Sequence, residues 1–132
     1  MKFLLDTDTC IYALKQNEKV LRKLLSTARD EVVVSVITEA ELRTGAAKSS
    51  SPVKTLRLIE NFLRPLALID FTSDDAIAYA SVRAKLEPAG MPIGPLDTLI
   101  ASQAVARKLT LVSNNEREFR RVAGLIVENW SQ

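Results

Sequence analysis

The apolar residues of this chain come in short blocks, and the blocks alternate with amphipathic stretches. Phe3-Leu4-Leu5, the valine-dense run from Glu31 to Val36, Leu66 to Asp70 and Leu109 to Val112 read as buried strands, and Leu125 to Val127 as a short fifth. Between them, Val20, Leu21, Leu24 and Leu25 recur at helical spacing within residues 17–28, and Leu56, Ile59, Phe62 and Leu63 form a second stripe. Helices are also predicted from Thr38 to Lys48, from Thr72-Ser73-Asp74-Asp75 towards Pro88, and from Pro95 onwards. Residues 49–52 and 89–94 read as loops. Apolar strands separated by helices require crossover connections. The fold class predicted is therefore α/β, a mostly parallel central sheet of four to five strands with helices on both faces.

The length of 132 residues fits one domain spanning 1–132, with no repeat or linker. At 47% hydrophobic and 26% charged the composition is that of an ordinary globular protein. Eighteen basic against 16 acidic residues give +2, which suits an anionic partner without demanding one. One cysteine, Cys10, excludes an internal disulfide framework and a cysteine-rich zinc site, and reads as a small buried side chain. The absence of histidine excludes every mechanism with a histidine base and every histidine-ligated metal. Any acid, base or ligand must be carboxylate, amide, hydroxyl or amine. Met1 to Leu5 meets Asp6 too early for a signal peptide, and no apolar run approaches the ~20 residues of a membrane span, so the expected location is the cytoplasm.

Ligands of open α/β sheets bind outside the carboxyl ends of the strands. Asp6 closes the first strand, Glu41 is in the first turn of the helix after the second, Asp97 is in the first turn of the helix opened by Gly94-Pro95, and Ser113-Asn114-Asn115 closes the fourth strand. Each has a structural explanation. Glu41 stands three residues after Thr38, the capping-box spacing, with Thr38 as N-cap. Asp97 complements a helix dipole, and Asp6 caps the following turn. Three carboxylates brought to one sheet edge, however, repel one another unless a cation compensates. Hard oxygen donors suit Mg²⁺ or Mn²⁺, which activates water and clamps a phosphate oxygen without histidine.

Four blocks in this order resemble the PIN-domain ribonucleases, and within them the VapC-type toxins of bacterial toxin–antitoxin pairs. They are Phe3-Leu4-Leu5-Asp6-Thr7; Ser35 to Leu42 with Gly45-Ala46; Gly94 to Ala101; and Val112 to Asn115 with Arg117-Glu118-Phe119, leading to Gly124-Leu125 and Glu128-Asn129-Trp130. The resemblance implies a PIN-like fold and a metal-dependent endoribonuclease acting on RNA, with tRNA, cut in the anticodon loop, as the leading target. It places Asp6, Glu41 and Asp97 at the metal, and Asn115 where many relatives carry a fourth acid. Glu118 is the nearby candidate to supply the missing charge, and Asp8 stands where relatives often have Asn. Thr7 and Ser113 carry hydroxyls suited to orient the carboxylates. It also implies a VapB-type antitoxin lying in an apolar groove, for which the helices at 17–28 and 52–64 are candidates, and a homodimer. Tyr79, Val82, Leu86, Ile100 and Val105 are candidate dimer-face residues, with simple burial the stronger reading. Arg83, Lys85, Arg117, Arg120 and Arg121 are candidate RNA-phosphate contacts, whereas Lys15, Lys19, Arg22 and Lys23 read as a solvated face. With 5% aromatic residues, extensive base stacking is not expected.

Two other readings compete. Leu4-Leu5-Asp6-Thr7-Asp8 resembles the start of haloacid-dehalogenase-type phosphatases, with Asp6 as nucleophile, Asp8 as general acid, Val33-Val34-Ser35 as a hydroxyl motif and Asp70 with Asp74 as a terminal acidic pair. It leaves Glu41 and Asp97 without roles. A non-catalytic module binding RNA or an antitoxin is favoured only by Asn115.

Overall fold

A computed structural model describes residues 1–132. The elements run β1 (Phe3–Leu5), α1 (Thr7–Leu14), α2 (Glu18–Leu25), β2 (Val32–Ser35), α3 (Val36–Ala47), α4 (Pro52–Leu63), β3 (Ala67–Ile69), α5 (Ser73–Leu86), α6 (Pro95–Arg107), β4 (Thr110–Val112), α7 (Glu116–Phe119) and β5 (Ile126–Glu128). The strands form one sheet in the order β3-β2-β1-β4-β5, with every pair parallel. Leu4 pairs with Val33 on one side and Leu111 on the other. The chain moves outward from β1 to β3 and then returns to lay β4 on the free side of β1. The direction of winding therefore switches between β1 and β4, where sheets of this kind bind ligands. Asp6 N donates to Val112 O there (3.0 Å), holding the carboxyl ends of the two strands together.

Of the three inner strands, β2 and β4 are fully buried and β1 is buried but for half-buried Phe3, because helices cover both faces of the sheet, and this is why they read as continuous apolar runs. Alternation along each strand divides the core in two. Leu4, Val33 and Leu111 face a core shared with Val82 and Leu86 of α5, Ile100, Ala101 and Ala104 of α6, and Phe119. Leu5, Val32, Val34 and Val112 face a core with Cys10, Ala13, Val20, Leu42, Ile59, Leu63 and Trp130. Val82, Leu86 and Ile100 are thus buried within one chain. Cys10 is fully buried, and burial together with the charge of Asp6 pushes its thiol far up, leaving it inert.

Two helices are not legible in the sequence. In α1, Thr9, Cys10 and Ala13 are buried while Ile11 and Leu14 are half-buried, so no clean stripe forms. Its start is fixed by Asp6, which caps it by accepting from Thr9 N. α7 is a single turn. The start of α3 corrects the capping-box reading. Ser35 caps the helix by accepting from Ile37 N (3.0 Å), so Thr38 is inside the first turn and Glu41 is in the second. Ser35 is itself the last residue of β2 and a good capping residue, and strand passes into helix with no loop between. The capping box at α5 is real, with Thr72 and Asp75 as its partners. No helix is long and apolar enough to cross a membrane.

Asp75 is buried, and Arg107 of α6 donates to it (2.9 Å) and to the Asp70 carbonyl, tying α5 to α6. Burial alone would raise its carboxyl; hydrogen bonds from Arg107 and Thr72, with the charge of Arg107, outweigh burial and hold it below the usual carboxylate value. Removing the cation leaves a buried carboxylate uncompensated. Arg107→Met is expected to cost about 3 kcal/mol in urea denaturation at pH 7. Because the folded pKa is depressed, this stabilisation is complete above the ordinary carboxylate range and is lost as pH falls through the depressed value, so the cost should shrink at pH 3. A pH-independent cost would show that packing, not charge, is what the substitution removes.

Candidate functional site

The site is built around the carboxyl ends of β1 and β4. Asp6 follows β1 and is 3% exposed. Its Oδ1 accepts from Thr9 N (2.8 Å), and the Thr9 hydroxyl donates to Val112 O (3.0 Å), so α1 is bound to β4 next to it. Burial raises the Asp6 carboxyl, the Ser113 hydroxyl and Thr9 pull it partly back, and the charge of Asp8 pushes it up again. Ser113 is fully buried at the end of β4 and its Oγ accepts from Asn115 N (2.9 Å).

Asp97 stands in the first turn of α6 with Gly94 as N-cap and Pro95 as the first helical residue. It is half-buried, and its carboxyl is pushed up to about 6, first by burial and then by the charges of Asp6, Glu41, Asp8 and Glu118. Five acids from four separate stretches of chain therefore share one field. Glu41 reaches the group from the second turn of α3, where its Oε1 accepts from the Thr7 hydroxyl of α1 (2.6 Å). Glu118 is half-buried on α7, and its Oε2 accepts from the Asn115 amide (2.8 Å). Asp8 is exposed on the first turn of α1.

The electrostatics of these five differ from those of acids elsewhere. The ion pairs of the molecule engage Glu39, Glu60, Asp75, Glu87 and Glu116, and none includes Asp6, Asp8, Glu41, Asp97 or Glu118. Where the clustered acids have donors, these are neutral: a backbone N–H, a hydroxyl or an amide. No three of them are drawn together into a finished ligand cage. The donor set of carboxylate, amide and hydroxyl oxygens suits a hard divalent cation, and the repulsion that raises Asp97 is what such a cation relieves.

The expected RNA-contacting cations lie on α5, α7 and the segment after α7. Arg83 is not free: it pairs with Glu87 and donates to the Tyr79 hydroxyl (3.2 Å), an exposed cluster at helical spacing. Arg120 pairs with Glu116 (3.2 Å). Arg121 donates to the Pro92 carbonyl (3.2 Å), bracing the loop before α6, and with Lys85 lines a cleft of 230 Å³. Arg117 is exposed and in no ion pair. The apolar groove that touches the acids lies between α1, α3 and α4, a space of 470 Å³ lined by Ile11, Leu14, Leu42, Leu58 and Ile59 with Glu41 among its walls. The α2–α4 pair expected for this purpose lines a separate hollow around Leu24, Leu25 and Phe62.

The phosphatase reading fails on position. Asp70 and Asp74 lie beyond β3, the edge strand, with all of β2 between them and β1, and the Asp70 carbonyl is taken by Gln103 and Arg107. Two contacts were not anticipated from the sequence. The buried Thr38 hydroxyl lies against Thr7, and Asn114 donates to the Tyr12 hydroxyl (3.0 Å), joining the end of β4 to α1. Both depend on where α1 docks, and α1 carries no periodic signal.

Residues 3–125 match the PIN domain family model. The chain is 38% identical over 130 residues to the tRNA(fMet)-specific endonuclease VapC of Salmonella typhimurium, covering 98% of each chain, and 38% identical over 134 residues to ribonuclease VapC2 of Rickettsia felis, covering all of both. Among solved structures, it is similar to DNA-bound VapBC from Salmonella typhimurium, with a TM-score of 0.94, 39% identity and 98% of each chain covered.

Asp97 gives a test independent of catalysis. A carboxyl raised by folding stabilises the fold below its unfolded pKa and loses that contribution as pH rises through about 6. In EDTA, Asp97→Asn should therefore stabilise the protein by about 1 kcal/mol at pH 8, allowing for solvent screening of a half-buried group, and by roughly half as much at pH 5. Thermal denaturation at the two pH values measures this. A variant no more stable than wild type at pH 8 would remove the repulsion argument.

Proposed function

Because the chain belongs to the PIN-domain family and, within it, to the VapC ribonucleases, we propose that it is a metal-dependent endoribonuclease, the toxin of a toxin–antitoxin pair, hydrolysing a phosphodiester of tRNA. The observation that carries this reading is the convergence on Asp97 of Asp6, Glu41, Asp8 and Glu118, with no basic side chain among them. Asp6 and Asp97 would hold a Mg²⁺ or Mn²⁺ ion, with Glu41 completing the set directly or through water. When bound, the ion supplies Lewis-acid activation of water and neutralisation of the developing phosphate charge.

The chain's own residues have separable tasks. Asp6 is fixed before any ligand arrives, because Thr9 N and Ser113 hold its buried carboxylate. Asp97 is held by the first turn of a helix that is anchored in the core through Ile100 and Ala101. Thr7 orients Glu41. Asn115 donates to Glu118 and so orients an acid rather than adding one. Asp97, drawn up to about 6, is largely ionised at neutral pH and becomes a poor ligand below it.

Substrate and partner follow from the same surface. The Salmonella relative is named for its action on tRNA(fMet), and initiator tRNA is the first substrate to test here. Exposed Arg117 and Lys85, with Arg121, would contact the phosphates of a folded RNA, while few aromatics leave little surface for stacking a long single strand. A VapB-type antitoxin would lay an apolar segment in the α1–α3–α4 groove, next to Glu41. The assembly is proposed to include a homodimer, and the compartment to be the cytoplasm.

Incubation of bacterial tRNA with the purified protein and Mg²⁺ or Mn²⁺, followed by end-mapping, should give few cuts with 5′-phosphate and 3′-hydroxyl ends. EDTA, Asp6→Ala and Asp97→Asn should each lower the rate at least roughly 100-fold. Ends bearing a 2′,3′-cyclic phosphate would refute attack by water. Arg117→Ala should weaken RNA binding about equally for all sequences and lower its salt dependence by about one phosphate contact; a change in cleavage position instead would make Arg117 a base-reading residue.

A further inference from the structure

We infer that Thr38 is a positioning residue for Glu41, acting through the Thr7 hydroxyl. This rests on the metal-site reading above and adds a residue to it.

The direction of the hydrogen bonds follows from proton counting. Thr7 has one hydroxyl proton, and its Oγ1 lies 2.6 Å from Glu41 Oε1 and 3.1 Å from Thr38 Oγ1. An ionised carboxylate only accepts, and a 2.6 Å contact has the length of a charge-assisted O–H···O⁻ bond. The Thr7 proton therefore goes to Glu41. The Thr38 hydroxyl must then be the donor to Thr7 Oγ1. The result is a chain, Thr38 to Thr7 to Glu41, in which each bond fixes the rotor of the next and polarises it.

The placement of Thr38 supports this role over simple packing. Its side chain is wholly buried, so no water competes for the hydroxyl. Hydroxyls within helices commonly donate to the carbonyl four residues earlier, as exposed Thr44 and buried Thr98 and Ser102 do here, whereas buried Thr9 reaches across to Val112 O. Thr38 is the third residue of α3, so the carbonyl four back, that of Val34, lies in β2 and not in the helix; the hydroxyl contact that Thr38 makes is with Thr7, across the α1–α3 boundary. Thr38 and Glu41 are three residues apart on one face of α3, and Thr7 is the first residue of α1. The relay thus locks the first turn of one helix to the first two turns of another, beside Asp6. Glu41 Oε1 is occupied by Thr7, while Oε2 has no protein donor and is the oxygen left for a ligand.

Two substitutions separate hydroxyl from packing. Thr38→Val keeps the shape and removes the donor. Thr38→Ser keeps the donor and removes a methyl. Mn²⁺ titration by calorimetry on the full chain, with thermal denaturation in parallel, reads both. Thr38→Val should weaken Mn²⁺ binding about tenfold, the low end for an outer partner of a metal ligand, with little change in melting temperature. In the ribonuclease assay it should lower kcat and leave KM for RNA unchanged. Thr38→Ser should bind Mn²⁺ within about twofold of wild type. Should Thr38→Val fail to fold, Thr38→Ala removes the same donor without added bulk at the γ position. Wild-type affinity in Thr38→Val, or equal weakening in Thr38→Ser, would overturn the inference. Asp97→Asn is the control: if it binds Mn²⁺ like wild type, or if wild type binds none, the metal reading itself has failed and the role of Thr38 falls with it.

Discussion

Like charges at the carboxyl edge of the sheet constrain most of what surrounds them. Asp6, Asp8, Glu41, Asp97 and Glu118 share a field strong enough, with burial, to push Asp97 up to about 6. A chain with 18 basic residues has ample means to neutralise these acids internally, and it does so for others. Asp75 is held by Arg107, and Glu87 by Arg83. The clustered acids instead receive neutral donors from Thr9, Thr7 and Asn115. A neutral donor fixes where a carboxylate points without removing its charge. An arginine would fix it and fill the place of the cation. The difference separates an acid that stabilises the fold from one kept ready for a ligand, at a cost to stability that fits a functional site.

That cost is borne by a scaffold that leaves the edge little freedom. β1 is the middle strand, and its Leu4 and Leu5 bury into opposite cores, so the position of Asp6 is set from both faces of the sheet. A slip of one residue would exchange the two cores and turn Asp6 away. The same two cores anchor α6 on one side and α3 on the other, and these helices carry Asp97 and Glu41. The acids thus converge because three elements packed in different layers all end at the switch point between β1 and β4.

The sheet was legible because parallel, doubly covered strands must be continuously apolar, and Val32-Val33-Val34 or Leu109 to Val112 admit little else. Asp6 and Asp97 were legible for a related reason, since each follows a strand end or helix start that the sequence marks plainly. Glu41 was only half legible. Its spacing from Thr38 imitates a capping box, and Ser35 displaces that reading because a serine ending the strand can itself cap the helix without a loop. The convergence of Asp6, Glu41 and Asp97 was legible only through the family resemblance, because it depends on strand order, which no local pattern encodes. Nor was α1, whose buried and half-buried residues wrap around the helix instead of forming a stripe. With α1 unseen, the contacts of Thr7 with Thr38 and of Tyr12 with Asn114 had no place in the reading.

Asn115 shows how composition and geometry must be read together. By the family resemblance it is an amide where an acid is expected, and taken alone it argues for a weakened site. In the structure its amide donates to Glu118, whose charge reaches Asp97. An aspartate there would face Glu118 with a second negative charge, and the pair would separate or share a proton. The amide keeps one charge at that corner and fixes its direction. The number of negative groups near Asp97 is thereby limited by hydrogen bonding as well as by repulsion.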